Sequence, residues 1–104
     1  MIYEVVISKQ ADYDLRGVYE HIAFERQSPL NASGQLERLE ERINDLSQMP
    51  NRFRRYEKEP WYSRGLHIMP VDNYIVLYIP DEEKSEVTIV RVLSDRRDIE
   101  AQLR

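Results

Sequence analysis

An arginine pair near the C-terminus, Arg96 and Arg97, has the clearest chemical potential in this sequence. Guanidinium groups bind phosphates through planar pairs of hydrogen bonds, and they stabilise the negative charge that develops during phosphoryl transfer. We expect Arg64 and Arg91 to join the pair at one end of a sheet. The pattern therefore predicts a site for a phosphate-bearing ligand, with Arg96 and Arg97 as catalytic stabilisers of a transition state.

Arginine alone is an incomplete catalyst, because cleavage of RNA by its own 2′-hydroxyl also needs a base and an acid. His67 is the best candidate for this role by its intrinsic pKa, and Glu57 is a second candidate. The alternative for His67 is a strand histidine that faces solvent or a backbone carbonyl. We interpret His21, on the first predicted helix, as an ordinary partly buried residue.

Residues 52–64, the basic loop, concentrate positive charge among aromatic rings. The loop balances to +3, whereas the whole chain carries −4 and residues 1–50 alone balance to −4. Arginines bind phosphates and exposed rings stack on unpaired bases, which predicts an RNA-binding segment. The predicted RNA-binding residues are Arg52, Arg54, Arg55, Lys58, Arg64 and Tyr56. Alternatively, Phe53 and Trp61 anchor the loop to the core while its arginines only keep it solvated.

The composition argues against several classes of protein. The 104 residues include no Cys, two His and three Gly, which disfavours disulfides, a metal site and a glycine-rich phosphate cradle. We therefore expect no cofactor and no metal. No apolar run approaches the roughly 20 residues of a membrane-spanning helix, so we expect a cytoplasmic protein. The sequence pI of about 5.2 is unlike that of a strongly basic nucleic-acid binder.

The first half of the chain has the pattern of a strand followed by two helices. Residues 2–8 alternate and are rich in β-branched side chains, which predicts a strand. Apolar residues at helical spacing predict one helix from Lys9 to about Gln27 and a second to about Gln48. Ser28 and Pro29 form a start signal between them. The short break between the helices predicts an antiparallel hairpin.

The second half changes to strands after an irregular loop over residues 51–63. Strands are predicted over residues 66–70, 73–79 and 86–93, and the middle one is apolar on both faces. Residues 95–103 fit either a short helix or a loose tail. The order β-α-α-β-β-β(-α) predicts a single α+β domain over residues 1–104, with the helical hairpin packed on a small, largely antiparallel sheet as two layers.

Several motifs, taken in this order over nearly the whole chain, resemble the RelE/ParE toxin superfamily. They are Ala11-x-x-Asp14-Leu15, Leu46-x-x-Met49-Pro50, Asn73-Tyr74-x-x-x-Tyr78 and Arg91-Val92-Leu93-x-x-Arg96-Arg97-Asp98. The resemblance implies the toxin of a type II toxin–antitoxin module, neutralised by an antitoxin that binds it. The fold that this implies agrees with the fold predicted above.

The resemblance implies one of two activities. RelE-like members cut mRNA on the ribosome, whereas ParE-like members are not nucleases and act on DNA gyrase. RelE-like nucleases usually carry an arginine where this sequence has Pro70, and a His or basic residue where it has Asp95. We predict a ribosome-dependent mRNA endonuclease with ribosome and mRNA as partners, using Arg96 and Arg97 with His67 or Glu57. The alternatives are a gyrase inhibitor, or a toxin degraded in activity that keeps its antitoxin interface.

The best-supported partner is the cognate antitoxin. Family members receive an antitoxin segment along the helices and the edge of the sheet. Tyr3, Tyr19 and Trp61 are the predicted apolar anchors for such a segment. The acidic helical hairpin is predicted to pair with a basic stretch of the antitoxin.

Overall fold

The computed structural model describes residues 2–25, 27–94 and 99–103. In chain order, its helices and strands are β1 (Glu4–Ile7), α1 (Lys9–Glu20), α2 (Pro29–Asn44), α3 (Trp61–Arg64), β2 (His67–Val71), β3 (Tyr74–Asp81), β4 (Glu86–Leu93) and α4 (Ile99–Gln102). The predicted order is confirmed, and the described part of the C-terminal segment is a short helix. Among the described residues, no helix is long and apolar enough to cross a bilayer.

The four strands form one mixed sheet with the order β1-β4-β3-β2. β3 is antiparallel to both β2 and β4, and β1 runs parallel to β4 with Val5 opposite Val87. The expectation of a largely antiparallel sheet is thus confirmed. The parallel pair arises because both helices lie between β1 and the other strands in the chain, so that the chain crosses over one face of the sheet.

The main core lies between the helical hairpin and one face of the sheet. Its helical side contains the predicted apolar positions Ala11, Leu15, Val18, Leu39 and Ile43, together with Ala32. Its sheet side includes Met69, Val71, Val76, Tyr78, Val87 and Ile89. Removal of these side chains from water is the main driving force that holds the hairpin on the sheet.

The opposite face of the sheet carries a second core. This core consists of Tyr56, Leu66, Ile68, Ile75, Leu77 and Leu93. Partly buried side chains from α3 and the C-terminal segment pack on it, among them Trp61, Ile99 and Leu103. The two-layer prediction is therefore incomplete, because the second face is also covered. A β3 strand that is apolar on both sides has the pattern that this double cover requires.

Three boundaries differ from the sequence expectation. The α-helical geometry of α1 ends at Glu20 and continues as one π-helical turn, His21–Glu25. At the start of α2, Ser28 makes no side-chain capping bond, although Pro29 occupies the first turn as expected. The loop predicted to be irregular contains α3, which ends because Gly65 adopts φ 84°, a left-handed conformation that favours glycine.

The N-terminal part of α1 closes the edge of β4 beyond the end of β1. The Ser8 Oγ donates a 3.0 Å hydrogen bond to the Val90 carbonyl and accepts one from Ala11 N at 3.1 Å. Asp14 accepts a hydrogen bond from Val92 N at 2.9 Å and two from Arg91, at 2.7 and 3.0 Å. The hydrogen bonds that Arg91 donates to Asp14 also raise the pKa of Arg91. These contacts provide hydrogen-bond partners for the Val90 carbonyl and the Val92 N–H of β4, which a neighbouring strand would otherwise pair.

Candidate functional site

The basic loop begins alongside β2, at the edge of the sheet farthest from β1. Ile68 N donates to the Arg54 carbonyl at 3.0 Å, and Tyr56 N donates to the Leu66 carbonyl at 2.8 Å. Arg55 forms an antiparallel bridge with His67. Because side chains alternate along extended backbone, Arg55 lies on the His67 side, whereas Tyr56 packs in the second core.

His67 is built into the edge of the main core. His67 is only 6% exposed, and its ring stacks on the ring of Tyr78 with the ring centres 5.3 Å apart. The Nδ1 atom lies 2.7 Å from the Gly65 carbonyl, so the neutral tautomer with a proton on Nδ1 donates to that oxygen. Burial lowers the pKa of His67, which favours the neutral ring at neutral pH. This is the backbone-carbonyl environment that the sequence allowed as an alternative to catalysis.

Alternation along β2 separates His67 from the position of the missing arginine. Met69 and Val71 belong to the main core and therefore face the helices, and His67, two residues earlier, lies on the same face of the sheet, where it lines a cavity with Phe53, Arg55 and Glu82. Ile68 belongs to the second core, so Pro70 also projects to that side and is exposed. His67 and Pro70 thus lie on opposite faces of the sheet. His67 is not placed to complete a site built around position 70.

Glu57, the second candidate base, and the titratable Tyr78 have contrasting surroundings. Glu57 is exposed and has no hydrogen-bond or ion-pair partner among the residues that the structure describes. Tyr78 is fully buried and donates a 2.5 Å hydrogen bond to the Pro50 carbonyl. Burial raises the pKa of Tyr78 well above its ordinary value, so the phenol stays protonated at neutral pH.

Three arginines of the basic loop stack on aromatic rings of the same loop. The pairs are Arg52 on Phe53, Arg55 on Tyr62 and Arg64 on Trp61, with guanidinium carbons 5.1, 4.1 and 4.9 Å from the ring centres. The sequence predicted arginines interleaved with rings that stack on a ligand. Instead, each of these three rings has an arginine of the loop over one face. A cation over a ring is a favourable contact that also limits the conformations of the arginine side chain.

Backbone carbonyls fix two of these guanidinium groups further. Arg52 donates to the Gln48 carbonyl at 2.8 Å, and Arg55 donates to the carbonyl of Tyr62. Arg54 is exposed and has no such contact within the described residues. The loop therefore holds Arg52 and Arg55 with neutral acceptors, and among the described residues no carboxylate forms an ion pair with any arginine of the loop.

The acidic residues and the lysine of the loop are engaged locally. Glu59 accepts hydrogen bonds from the Ser63 N and Oγ at 2.8 and 2.5 Å, which lower its pKa and keep it ionised. Lys58 pairs with Glu100 of α4 at 2.9 Å, and this contact raises the pKa of Lys58. Lys58 thus connects the loop to the C-terminal segment, and the arginines remain the cations available to a ligand.

The predicted arginine group is divided in the structure. Arg91 binds Asp14 on α1, and Arg64 stacks on Trp61 on the other side of the sheet. Arg96 and Arg97 lie outside the described residues, so their predicted catalytic role remains a sequence prediction. Within residues 2–25, 27–94 and 99–103, no three His, Asp or Glu residues are grouped as metal ligands.

The predicted antitoxin anchors occupy three different environments. Tyr3 is 8% exposed within the main core, which leaves little of its surface for a partner. Trp61 is half-buried over the second core. Tyr19 is also half-buried and lines a shallow apolar groove between α1 and α2, next to β1. Ile7, Leu15 and Leu36 complete the apolar lining, Asp12, Glu20 and Glu40 add carboxylates, and Arg16, which pairs with Asp12, adds a cation at the same groove. The spacing of apolar residues along the two predicted helices did not predict that a groove would form between them.

Residues 5–99 match the sequence profile of a family described as the ParE toxin of the type II toxin–antitoxin system parDE. The match covers most of the chain. The chain belongs to this ParE toxin family. This family match confirms the superfamily predicted from the sequence. A comparison with curated proteins finds no significant match.

Solved structures of toxins from such systems resemble this ParE-family chain. The chromosomal ParDE toxin–antitoxin system from P. aeruginosa gives a TM-score of 0.74 at 18% identity, over 89% of this chain and 96% of that one. The RelBE2 toxin–antitoxin complex from Mycobacterium tuberculosis gives 0.67 at 25% identity, over 91% and 100%. A mutant of the E. coli toxin RelE in the free state gives 0.68 at 16% identity, over 99% and 93%. These likenesses confirm the α+β fold.

Proposed function

We propose that this ParE-family toxin arrests growth by binding DNA gyrase and does not cleave RNA. The sequence alone placed ribosome-dependent RNA cleavage first and gyrase second, and the position of His67 supports the opposite order. His67 was the best candidate base, and it is buried on the helical side of the sheet, bonded to the Gly65 carbonyl. A buried imidazole that faces away from Pro70 is poorly placed to take a proton from a bound RNA.

The face of the sheet that carries Pro70 supports the same proposal. The described strand side chains of the second core are apolar, among them Ile68, Ile75 and Leu77. General acid–base catalysis requires titratable groups within hydrogen-bond reach of the reacting atoms. An inhibitor that acts by binding another protein needs no such groups. The match to a ParE family profile over residues 5–99 favours the same target.

The antitoxin is the second partner that we propose for this chain. Two of the similar structures are described as a ParDE system and a RelBE2 toxin–antitoxin complex. The apolar groove beside Tyr19 is the most suitable described place for an amphipathic antitoxin segment, because its carboxylates would pair with basic residues flanking an apolar anchor. Neutralisation by such binding takes place where the antitoxin is made, and we propose the cytoplasm.

RNA cleavage on the ribosome is the second candidate function. The observation that favours it is the set of loop arginines without an ion pair to the described residues, which suits an RNA phosphate backbone. In this case Arg96 and Arg97 would stabilise the transition state, and Glu57 would be the base still exposed to solvent.

Two assays on the purified toxin, freed from its antitoxin, separate these functions. One measures supercoiling by DNA gyrase, and the other maps message ends by primer extension in a reconstituted translation reaction. The matched variant is His67→Asn, whose amide can still donate to the Gly65 carbonyl while the second ring nitrogen is lost. We expect blocked supercoiling and intact mRNA with both proteins. Cuts at A-site codons that disappear in the variant would overturn the proposal in favour of the nuclease.

A further inference from the structure

We propose that the basic loop binds the phosphate backbone of duplex DNA. Combined with the proposed function, this means that the toxin contacts both gyrase and the DNA that gyrase holds. The simultaneous contact with gyrase and its DNA rests on the proposed function. The DNA contact itself is a property of the loop and can be measured without gyrase.

The first argument is how differently arginines are partnered inside and outside the loop. Outside it, three of the four described arginines pair with carboxylates: Arg16 with Asp12 at 3.3 Å, Arg38 with Asp72 at 2.9 Å and Arg91 with Asp14 at 2.7 Å, whereas Arg42 has no ion pair to the described residues. Inside it, the structure gives no carboxylate partner within the described residues to any of four arginines: Arg52, Arg54, Arg55 and Arg64. Four arginines of one loop that lack an ion pair to the described residues, in an acidic protein, favour an anionic partner, and the electrostatic interaction of Glu59 with Arg55 offsets only part of the charge of the loop.

The second argument is that these charges are held in position before a ligand arrives. Arg55 is fixed by the Tyr62 ring and carbonyl, and Arg52 by Phe53 and the Gln48 carbonyl. An arginine that stacks on a ring keeps N–H groups at the edge of its guanidinium plane, and these reach phosphate oxygens in pairs. Prior ordering lowers the entropy lost on binding.

The third argument distinguishes duplex DNA from unpaired RNA. Recognition of unpaired bases relies on free aromatic faces, on which the bases stack. In this loop Tyr56 is 8% exposed, and Phe53 and Trp61 are half-buried beneath their own arginines. Tyr62 is 44% exposed and has Arg55 over its ring. The loop thus offers charge with little stacking surface, which suits a paired backbone.

The position of the loop leaves the antitoxin groove free. The loop adjoins β2, whereas the Tyr19 groove is lined by Ile7 of β1, and these strands are the two ends of the sheet. Removing charge from the loop should therefore leave antitoxin binding at this groove unchanged, and the variants keep Trp61, the predicted anchor within the loop. That binding provides a check that a loop variant is folded.

The test measures the anisotropy of a labelled 40-base-pair duplex with the purified toxin over a series of salt concentrations. Four phosphate contacts predict a slope of log K against log salt of about −3.6, since each contact contributes about −0.9. The variant is Arg54→Gln with Arg64→Gln, because neither side chain donates a described hydrogen bond. We expect its slope to fall to about half and its affinity at low salt to fall at least tenfold.

The control is Lys9→Gln with Lys84→Gln, which removes the same charge from two exposed positions outside the loop. We expect its slope to equal that of the parent. If the loop variant fails to bind antitoxin and is misfolded, the single change Arg54→Gln replaces it, with an expected slope change of about 1.

Three results would overturn the proposal. They are no binding to the duplex at low salt, equal losses in the loop and control variants, and tighter binding to single-stranded RNA of the same length. Gyrase inhibition is scored separately. A toxin that binds duplex through the loop without inhibiting gyrase supports the loop proposal and contradicts the proposed function. A toxin that inhibits gyrase without binding duplex DNA supports the proposed function and contradicts the loop proposal.

Discussion

Arg91, at the β1 side of the sheet, has a side chain only 17% exposed and forms a two-point ion pair with Asp14, whose side chain is 11% exposed. At the β2 side, Arg54 and Arg55 are exposed and have no carboxylate partner among the described residues. The same residue type therefore holds the fold together at one edge and presents charge to solvent at the other. The difference is set by a carboxylate 77 positions away in the sequence, which no local pattern reveals.

The two kinds of arginine should differ sharply in energy. Breaking a mostly buried ion pair by removing one partner leaves a charge without compensation, which typically costs about 3–5 kcal/mol. Exposed charges away from such contacts typically contribute less than about 0.5 kcal/mol. The comparison thus separates residues that stabilise the fold from residues free to serve a ligand.

Asp14→Ala should be the most destabilising change. It removes the partner of Arg91 and leaves the Val92 N–H without its acceptor. We expect the free energy of unfolding to fall by about 3 kcal/mol, measured by urea denaturation. Asp12→Ala is the matched control, because Asp12 forms an exposed ion pair with Arg16 on the same helix. Equal losses in the two variants would contradict the distinction between the edges.

A smaller effect is expected at the start of α1. The Ser8 Oγ accepts from Ala11 N and donates to the Val90 carbonyl, whereas the hydroxyl of Ser28 caps nothing at the start of α2. Ser8→Ala should lower the free energy of unfolding by about 1 kcal/mol, the usual cost of losing an N-cap. Ser28→Ala should have almost no effect in the same denaturation experiment. If Ser28→Ala lowered the free energy of unfolding more than Ser8→Ala, the proposed difference between the two helix starts would be wrong.

At the β2 edge, His67 should make stability depend on pH. Burial lowers its pKa in the folded protein below the value of about 6.5 for an exposed histidine. Below about pH 6.5 the unfolded chain therefore binds more protons, and stability falls as the pH decreases. Above that pH both states are neutral at His67, and it contributes no dependence. Urea unfolding at pH 7.5, 6.5 and 5.5 should show a smaller decline in His67→Asn than in the parent, and identical declines would contradict this.

The periodicity of the sequence predicted the helical hairpin and the doubly buried β3, because both depend on side-chain spacing within a segment. It did not predict what covers the second face. α3 has only four residues, too few to show a helical period, and it depends on Gly65 to end it. The parallel pairing of β1 with β4 was also hidden, since strand partners are chosen by tertiary contacts and not by local pattern.

The candidate site was predictable in its charge and less so in its geometry. The basic loop could be located by counting, but the sequence does not show that Arg52, Arg55 and Arg64 would stack on neighbouring rings. Likewise, the residue type of His67 suggested a base, whereas its alternation with Pro70 along β2 decides which face it occupies. Composition identifies groups capable of chemistry, and only the strand register shows whether they share a surface.

The smallest effect is predicted for the exposed loop arginine with no described contact. Arg54→Ala should change the free energy of unfolding by less than about 0.5 kcal/mol, because the side chain is exposed and its backbone carbonyl still accepts from Ile68 N. Arg55→Ala should cost more, since it also removes the contacts with the Tyr62 ring and carbonyl. Urea denaturation of both variants tests this. If Arg54→Ala proved the more destabilising, its charge would be part of the fold and would not be available to a ligand.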